Sequence, residues 1–129
     1  MDEMIQLKRA YEAESEEDGP RFLVERLWPR GIKKENLAVE EWLKNVAPSA
    51  ALRRWFNHDP EKWSEFRRRY FRELEKHPIA WQPLLARVRR GRVTLVYSSR
   101  DTKHNNAVAL KVFLEGKTKD SGGTVLNTG

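Results

Sequence analysis

The chain has 129 residues, no cysteine and a net charge of +6, from 25 basic and 19 acidic side chains. The length predicts one domain, and the missing cysteines exclude disulfide scaffolds, thiolate metal sites and thiol nucleophiles. No apolar stretch reaches the ~18–20 residues of a membrane span, and the acidic start lacks the regions of a signal peptide. We therefore expect a cytoplasmic protein without a membrane partner.

Basic residues are concentrated in the middle of the chain. The region from Arg53 to Arg92 carries 12 basic and 5 acidic side chains, whereas residues 1–52 carry 8 and 11. A positive region of this kind favours anionic partners, from phosphate to nucleic acid.

Three segments have the pattern of β-strands. Alternation of Ile5 and Leu7 predicts a first strand over residues 4–9, and an apolar run predicts a second over residues 21–27. The β-branched and aromatic residues of 92–97 predict the third. The acidic segment 12–18 ends at a Gly-Pro pair, which is typical of a solvated loop with at most one helical turn.

Helical spacing follows the second strand. It predicts a helical region over residues 37–46, a helix capped by Ser49, and a helix that begins at Asp59 and Pro60. The apolar stripe of that last helix, which we expect in the core, consists of Trp63, Phe66, Tyr70 and Leu74.

Two further helices are expected near the C-terminus. One contains residues 81–88 and is closed by Gly91, and the other begins near Ala107 and stops at Gly116. The polar residues 117–129 are predicted to form a mobile tail.

Strands at both ends with helices between them predict an α/β fold. We expect a single domain over residues 1–116, with a small, mostly parallel sheet of three to four strands flanked by helices. Because the connection between the first two strands is short for a helical crossover, a hairpin between them stays open at this stage.

Ligands of open parallel sheets bind outside the carboxyl ends of the strands, so the residues there are the candidates for a site. The predicted ligand-binding side chains are Arg26, Trp28, Arg30, Arg100, His104 and Asn105. Arginine forks, an amide and a helix N-terminus together suit an anion. The candidates for proton transfer are Asp101 and Glu25, assisted by Tyr70 or His104.

Each candidate also has a structural explanation. Asp101 is suited to cap the last helix, and Glu25 is suited to pair with Arg26 or Arg100. His104 fits an exposed position at a helix start, and His58 beside Asp59 is better explained by capping. The three histidines lack metal-binding spacing, and no nucleotide or hydrolase motif is present, so we expect neither a metal nor a cofactor.

Several motifs resemble one family in the right order. They are residues 24–31 (VERLWPRG), 47–49 (APS), 52–56 (LRRWF), 58–60 (HDP), 66–70 (FRRRY), and Arg100-Asp101 followed by Asn105-Asn106-Ala107. They look like the short YeaO-like branch of the domain of unknown function 488 family, over nearly the whole chain up to about Leu114. The resemblance implies a compact α/β domain with a shortened crossover between the first two strands, and no established activity.

This chain departs from the branch in two places. It has Glu25 where the branch usually has Asp, and Ser98-Ser99 where small apolar residues usually precede Arg-Asp. The first departure changes the reach of a carboxylate that our hypothesis uses.

Three functions are compatible with the sequence. The first is binding of an anionic, phosphate-bearing metabolite or nucleotide at the strand ends, with metal-independent hydrolysis or group transfer as an extension. The second is a nucleic-acid-binding module that uses the Arg53–Arg92 region. The third is a structural protein whose arginines and carboxylates form an internal ion-pair network. The sequence leaves open the substrate, catalysis and the oligomeric state.

Overall fold

The computed structural model describes the backbone of residues 4–128 and the side chains of residues 4–119. It contains one four-stranded sheet in which every pair of neighbouring strands is parallel. The strands are β1 (Ile5–Arg9), β2 (Arg21–Leu23), β3 (Glu41–Trp42) and β4 (Val93–Tyr97), in the order β1-β4-β2-β3. The predicted α/β class and parallel sheet are therefore confirmed.

Helices follow the third and fourth strands. They are α1 (Ala50–Phe56), α2 (Trp63–Lys76), α3 (Pro78–Arg90) and α4 (Asn106–Thr128), with short 3-10 turns at Glu16–Asp18, Lys34–Asn36, Lys44–Val46 and Pro60–Lys62. The hairpin left open by the sequence is wrong, because β4 lies between β1 and β2 and pairs with both.

One face of the sheet carries the main core. Alternate strand residues point to it, including Ile5, Phe22 and Leu95, and all four helices contribute buried side chains there. The stripe predicted for α2 is confirmed, with Phe66, Tyr70 and Leu74 buried and Trp63 half-buried and packed against them. This face is held by apolar packing.

The predicted cap at Ser49 is confirmed, whereas Asp59 caps the 3-10 turn Pro60–Lys62 and α2 begins only at Trp63. The hydroxyl of Ser49 accepts the backbone N–H of Leu52 at 3.1 Å, and a carboxylate oxygen of Asp59 accepts that of Glu61 at 3.0 Å. Both caps satisfy N–H groups that a helix start leaves without partners.

The opposite face is covered by two irregular segments, residues 10–20 and 24–40. One half of it is polar and centres on Asp18, which is only 1% exposed. The carboxylate accepts hydrogen bonds from Lys8 at 3.0 and 3.1 Å, from Arg21 at 2.6 Å and from Gln6 at 3.0 Å. The carboxylate therefore joins β1, β2 and the segment that connects them.

The chain makes a close approach to the sheet immediately after Asp18. Gly19 has φ +64°, and a Cβ there would lie 2.3 Å from the carbonyl oxygen of Arg92. Only glycine fits such a contact with this backbone conformation.

The other half of this face is apolar. Its structure shows that two sequence predictions, the helix over residues 37–46 and the end of the second strand, are wrong. Residues 37–46 do not form an α-helix: they contain β3 and the 3-10 turn Lys44–Val46, and the second strand ends at Leu23 rather than at residue 27. Leu37 and Trp42 pack on this face with Trp28, whereas Val46 packs in the main core. The spacing looked helical because the segment passes from one face of the sheet to the other.

The last helix also differs from the prediction, because α4 continues through Gly116 to Thr128. A Cβ at Gly116 would meet nothing within 4 Å, so this glycine marks no close contact. The predicted mobility of residues 117–129 stays a prediction, since the side chains from 120 onward lie outside the described residues. Within the described part of the chain, no helix is long and apolar enough to cross a membrane.

Candidate functional site

Because β2 and β4 are neighbours, the loops that follow them meet at the carboxyl edge of the sheet. Between these loops and the α1–α2 turn lies a cavity of about 120 Å³, which we call the Glu25 cleft. Its lining residues are Glu25, Pro48, Arg53, Phe56, His58, Phe66, Ser98, Ser99, His104, Asn105 and Asn106.

Glu25 is the buried acid of this cleft. It is 7% exposed, and its Oε2 accepts the backbone N–H of Ser98 at 2.9 Å. Burial raises the pKa of the Glu25 carboxyl, while the bond from Ser98 and the nearby charges of Arg53 and His58 partly oppose that rise. The carboxyl therefore holds its proton to higher pH than an exposed glutamate does.

Two exposed basic side chains line the cleft from the other side. Arg53 lies on α1, and His58 lies in the turn between α1 and α2. Asn57 and His58 have φ of 47° and 55°, and two consecutive left-handed residues turn the chain sharply after α1. This turn brings His58 to the wall of the cleft, while the capping expected of the neighbouring Asp59 is confirmed.

Asp101 makes local hydrogen bonds before α4. Its Oδ1 accepts the backbone N–H groups of Lys103 at 2.8 Å and His104 at 2.9 Å, and Oδ2 lies 3.0 Å from His104 Nδ1. The bond from Lys103 is the largest influence on the pKa of Asp101, and together with the contacts to His104 it lowers that pKa despite partial burial. Asp101 thus stabilises the loop, and its role in proton transfer stays a prediction.

His104 and Asn105 both line the cleft. The His104 ring packs edge-on against Trp63, with 5.4 Å between ring centroids. Asn105 is 3% exposed; its amide donates to the carbonyl of Asp101 at 2.8 Å, and its Oδ1 accepts the N–H of Val108 at 3.0 Å. Asn105 is therefore the cap of α4, and both ends of its amide have internal partners.

Arg26 points away from the Glu25 cleft. Its guanidinium donates to the backbone carbonyls of Pro48 at 3.1 Å and Ala47 at 3.4 Å. It lines a separate groove of about 660 Å³ beside α3 and an adjoining cavity of about 190 Å³. The predicted ion pair between Glu25 and Arg26 is absent from the described side chains.

The arginines predicted to gather at one edge do not share any of these three cavities, and their joint role in binding stays a prediction. Arg30 and Arg100 are exposed and line none of these cavities, and Arg26 lies in the groove beside α3. Trp28 packs edge-on against Trp42 at 5.3 Å and donates to the carbonyl of Ile32 at 2.5 Å. The parallel sheet brings the strand ends together, but Arg26, Trp28 and Arg30 lie in the irregular segment that follows β2, so strand geometry does not fix where their side chains point.

Tyr70 is fully buried, and its hydroxyl donates to the carbonyl of Val46 at 2.5 Å. Burial raises the pKa of Tyr70 well above its ordinary value, and the charges of Glu25 and Glu73 add to the rise. Tyr70 lines the cavity beside Arg26 and is not among the residues that line the Glu25 cleft. Its assignment as a catalytic group is untested, and its proton already has an acceptor.

The arginine cluster on α2 is largely paired within the protein. Glu65 binds Arg68 and, at 2.9 Å, Arg69, and these two bonds are the main reason why the pKa of Glu65 is lowered to about 2. Arg67 stacks over Trp63, with 5.6 Å to the ring centroid. Nucleic-acid binding by this region stays a prediction, with fewer unpaired cations than the sequence suggested.

Sequence reasoning placed Ser98 and Ser99 at this edge of the sheet but missed Arg53, which was counted only as part of the basic region. The adjacent pair Arg53-Arg54 gives no sign of which side chain faces a cavity, because helical phase decides it.

Comparison with known proteins identifies the family. A sequence model described as the inactive DUF488-N3 subclade matches residues 4–126. The chain belongs to this DUF488-N3i family. It is 41% identical to the uncharacterized protein YeaO of Escherichia coli K12 over 110 residues, which is 85% of this chain and 96% of the relative. It is 39% identical to the uncharacterized protein Rv3073c of Mycobacterium tuberculosis H37Rv over 113 residues, covering 88% and 95%.

A second mycobacterial relative, the uncharacterized protein Mb3100c of Mycobacterium bovis, matches to the same extent. No solved structure matches the chain. The resemblance to the YeaO-like branch of the domain of unknown function 488 family is therefore confirmed for this DUF488-N3i protein. The names of its relatives state no activity.

Proposed function

We propose that this DUF488-N3i protein is a binding protein that takes a small anionic metabolite in the Glu25 cleft, without catalysis. The observation that carries the proposal is that the buried Glu25 carboxyl lines one cleft with two exposed basic side chains, the Arg53 guanidinium and the His58 imidazole. A phosphate or carboxylate suits the cationic side, and a hydroxyl or ammonium group of the same ligand suits Glu25.

The size of the cleft narrows the ligand class. Its volume of about 120 Å³ corresponds to about four water molecules at ~30 Å³ each. Pockets that enclose larger ligands usually measure ~300–1,000 Å³. A phosphorylated or carboxylated compound of a few carbon atoms therefore fits better than a whole nucleotide.

Three features favour binding over catalysis. Asp101 is occupied by the turn before α4, and Tyr70 donates to Val46, so of the predicted acid–base groups only Glu25 and the assisting His104 line the cleft. The Nδ1 atom of His104 already lies 3.0 Å from Asp101 Oδ2. General acid–base chemistry requires a group within hydrogen-bond reach of the reacting atoms. The description of the matching subclade as inactive agrees with this choice. The cytoplasmic location expected from the sequence is part of the same proposal.

The test is ligand-dependent thermal stability of the full chain with inorganic phosphate, glycerol 3-phosphate, phosphoserine and AMP as probes. A ligand at ~100 times its Kd stabilises the folded state by about 2.7 kcal/mol, which raises Tm by several degrees. We expect the three-carbon phosphates to raise Tm more than inorganic phosphate or AMP does.

Adjacent arginines on α1 provide a matched control. Arg53 and Arg54 are both exposed, and only Arg53 lines the cleft. Arg53→Ala should abolish the ligand-dependent rise in Tm, whereas Arg54→Ala should preserve it. Equal loss in both variants, or no rise with any probe at millimolar concentration, contradicts the proposal.

A further inference from the structure

A second cavity lies on the other side of Arg26. We call it the α3 groove; its volume is about 660 Å³, and it runs between α3 and the segment that contains β3. Its lining residues are Phe22, Arg26, Glu41, Trp42, Leu43, Lys44, Asn45, Val46, His77, Ile79, Ala80, Pro83, Leu84 and Arg87. None of these residues lines the Glu25 cleft, so the two cavities are separate sites.

The groove combines an apolar wall with an exposed anchor. Ile79, Pro83 and Leu84 lie on α3, and Leu43 lies opposite them. Ile79 is 85% exposed, the largest exposure among the large hydrophobic residues described. An exposed isoleucine at the edge of an apolar groove is typical of a surface that a partner covers.

The charge of the groove is mainly positive. Arg26 is half-buried, bonds only to backbone carbonyls and has no carboxylate within salt-bridge distance among the described side chains. Lys44 lies over the Trp42 ring, with its Nζ 4.1 Å from the ring centroid. Arg87 is neutralised by Glu40, which leaves Glu41 as the lining acid. A carboxylate from outside would complement Arg26 and Lys44.

The groove also borders a free sheet edge. β3 is hydrogen-bonded to β2 and has no strand on its other side in the described residues. The α3 residues from Ile79 to Arg87 span about 12 Å at ~1.5 Å per residue. An extended peptide rises ~3.3 Å per residue, so about four residues fill this length.

We propose that the α3 groove binds an extended acidic peptide segment of a partner protein. Apolar residues of the peptide contact Ile79, and a carboxylate of the peptide pairs with Arg26 and Lys44. The peptide backbone lies along the free edge of β3, as in other complexes in which a peptide joins a sheet. This proposal does not depend on the Glu25 cleft.

The experiment is selection of random 12-residue peptides by display on the immobilised full chain. Enriched peptides are then synthesised with a fluorescein label, and binding is measured by fluorescence anisotropy. We expect the enriched peptides to combine acidic with apolar residues. Enrichment of basic peptides, or no enrichment, overturns the proposal.

Variants locate the binding surface without threatening the fold. Ile79 and Lys44 are exposed, so Ile79→Ser and Lys44→Glu should fold normally and each weaken binding at least tenfold. Arg54→Glu removes an exposed cation on α1 outside the groove and should leave binding unchanged. Equal weakening by Arg54→Glu overturns the proposal, because it indicates attraction to the overall charge.

Self-association is the remaining outcome to distinguish. Sedimentation of the full chain, with Ile79→Ser as the comparison, shows whether a second copy occupies the groove. A dimer of the native chain that Ile79→Ser dissociates overturns the assignment to a separate partner.

Discussion

The two faces of the sheet are covered in physically different ways. Four helices cover one face with apolar side chains, whereas two irregular segments cover the other with a polar half and an apolar half. For the first of these segments the difference follows from the length of the connection. Only 11 residues join β1 to β2, and a parallel crossover usually needs a dozen or more.

No crossover helix connects β1 to β2, and the carboxylate of Asp18 fixes the connecting segment to the sheet instead. Asp18 reaches Lys8 on β1 and Arg21 on β2, and its own backbone carbonyl accepts the hydroxyl of Thr94 on β4 at 2.7 Å. The short segment therefore contacts three strands through one residue. A connection that is too short to bury an apolar stripe can therefore still be fixed to a sheet, here by the buried carboxylate of Asp18 and its paired cations.

The largest expected effect comes from breaking this network. Asp18→Asn leaves Lys8 and Arg21 without their carboxylate, and removal of one partner from a buried ion pair costs about 3–5 kcal/mol. Urea unfolding of the variant measures the loss. Glu16→Gln, which changes an exposed acid in the same 3-10 turn, is the control and should leave the free energy of unfolding nearly unchanged.

The contribution of Asp18 also depends on pH. Burial acts to raise the pKa of this carboxyl, but hydrogen bonds from Lys8, Ser15 and Arg21 together hold it below its ordinary value. The stabilisation is therefore complete above about pH 4 and is lost as the pH falls through the lowered pKa. If Asp18→Asn is as acid-sensitive as the native chain, Asp18 is not the group responsible.

The helical face should respond differently to a comparable change. Leu110 is fully buried in the main core, and Leu110→Ala is expected to cost about 2–5 kcal/mol through lost burial and the cavity that remains. This cost should be the same at about pH 4 and about pH 7, because no charge is involved. Urea unfolding at both pH values measures this cost. A strong pH dependence of the cost of Leu110→Ala would show that the two faces of the sheet do not contribute to stability independently.

The smallest expected effect is at Glu25, where a carboxyl is buried without a paired cation within bonding distance. Its raised pKa means that the unfolded chain loses this proton first, so native stability falls as the pH rises above about 4.5. Glu25→Gln removes this cost and should stabilise the protein near pH 7 on the order of 1 kcal/mol, with a smaller gain near pH 4.5. The Tm of Glu25→Gln and of the native chain is measured at both pH values. A variant that is less stable than the native chain at pH 7 contradicts this prediction.

The contrast between the faces also explains what the sequence could predict. Helices α2 and α3 have a regular apolar spacing with recognisable starts and ends, so their packing on the sheet was predictable. Asp18 lies in a run of exposed acids and looks like the others. Its burial depends on β1 and β2 lying on either side of β4, which no local pattern encodes.

The candidate site was predictable in position but not in composition. Parallel strands bring the ends of β2 and β4 together, and Glu25, His104 and Asn105 line one cleft there, as the parallel arrangement requires. Arg26 follows Glu25 directly but lines the groove beside α3, where its guanidinium donates to the backbone carbonyls of Ala47 and Pro48. Arg53 lines the cleft because α1 packs beside it, and the sequence does not show where α1 packs.

The central position of β4 also affects the order in which the chain is made. β1 ends at Arg9, and the strand that pairs with it begins at Val93. At ~5–20 residues per second, a ribosome needs about 4–17 s to synthesise the residues between them. During that time β2 can pair with β3 but β1 has no partner strand, so the sheet is completed only when synthesis is nearly finished, and β1 is the segment on which a chaperone would act.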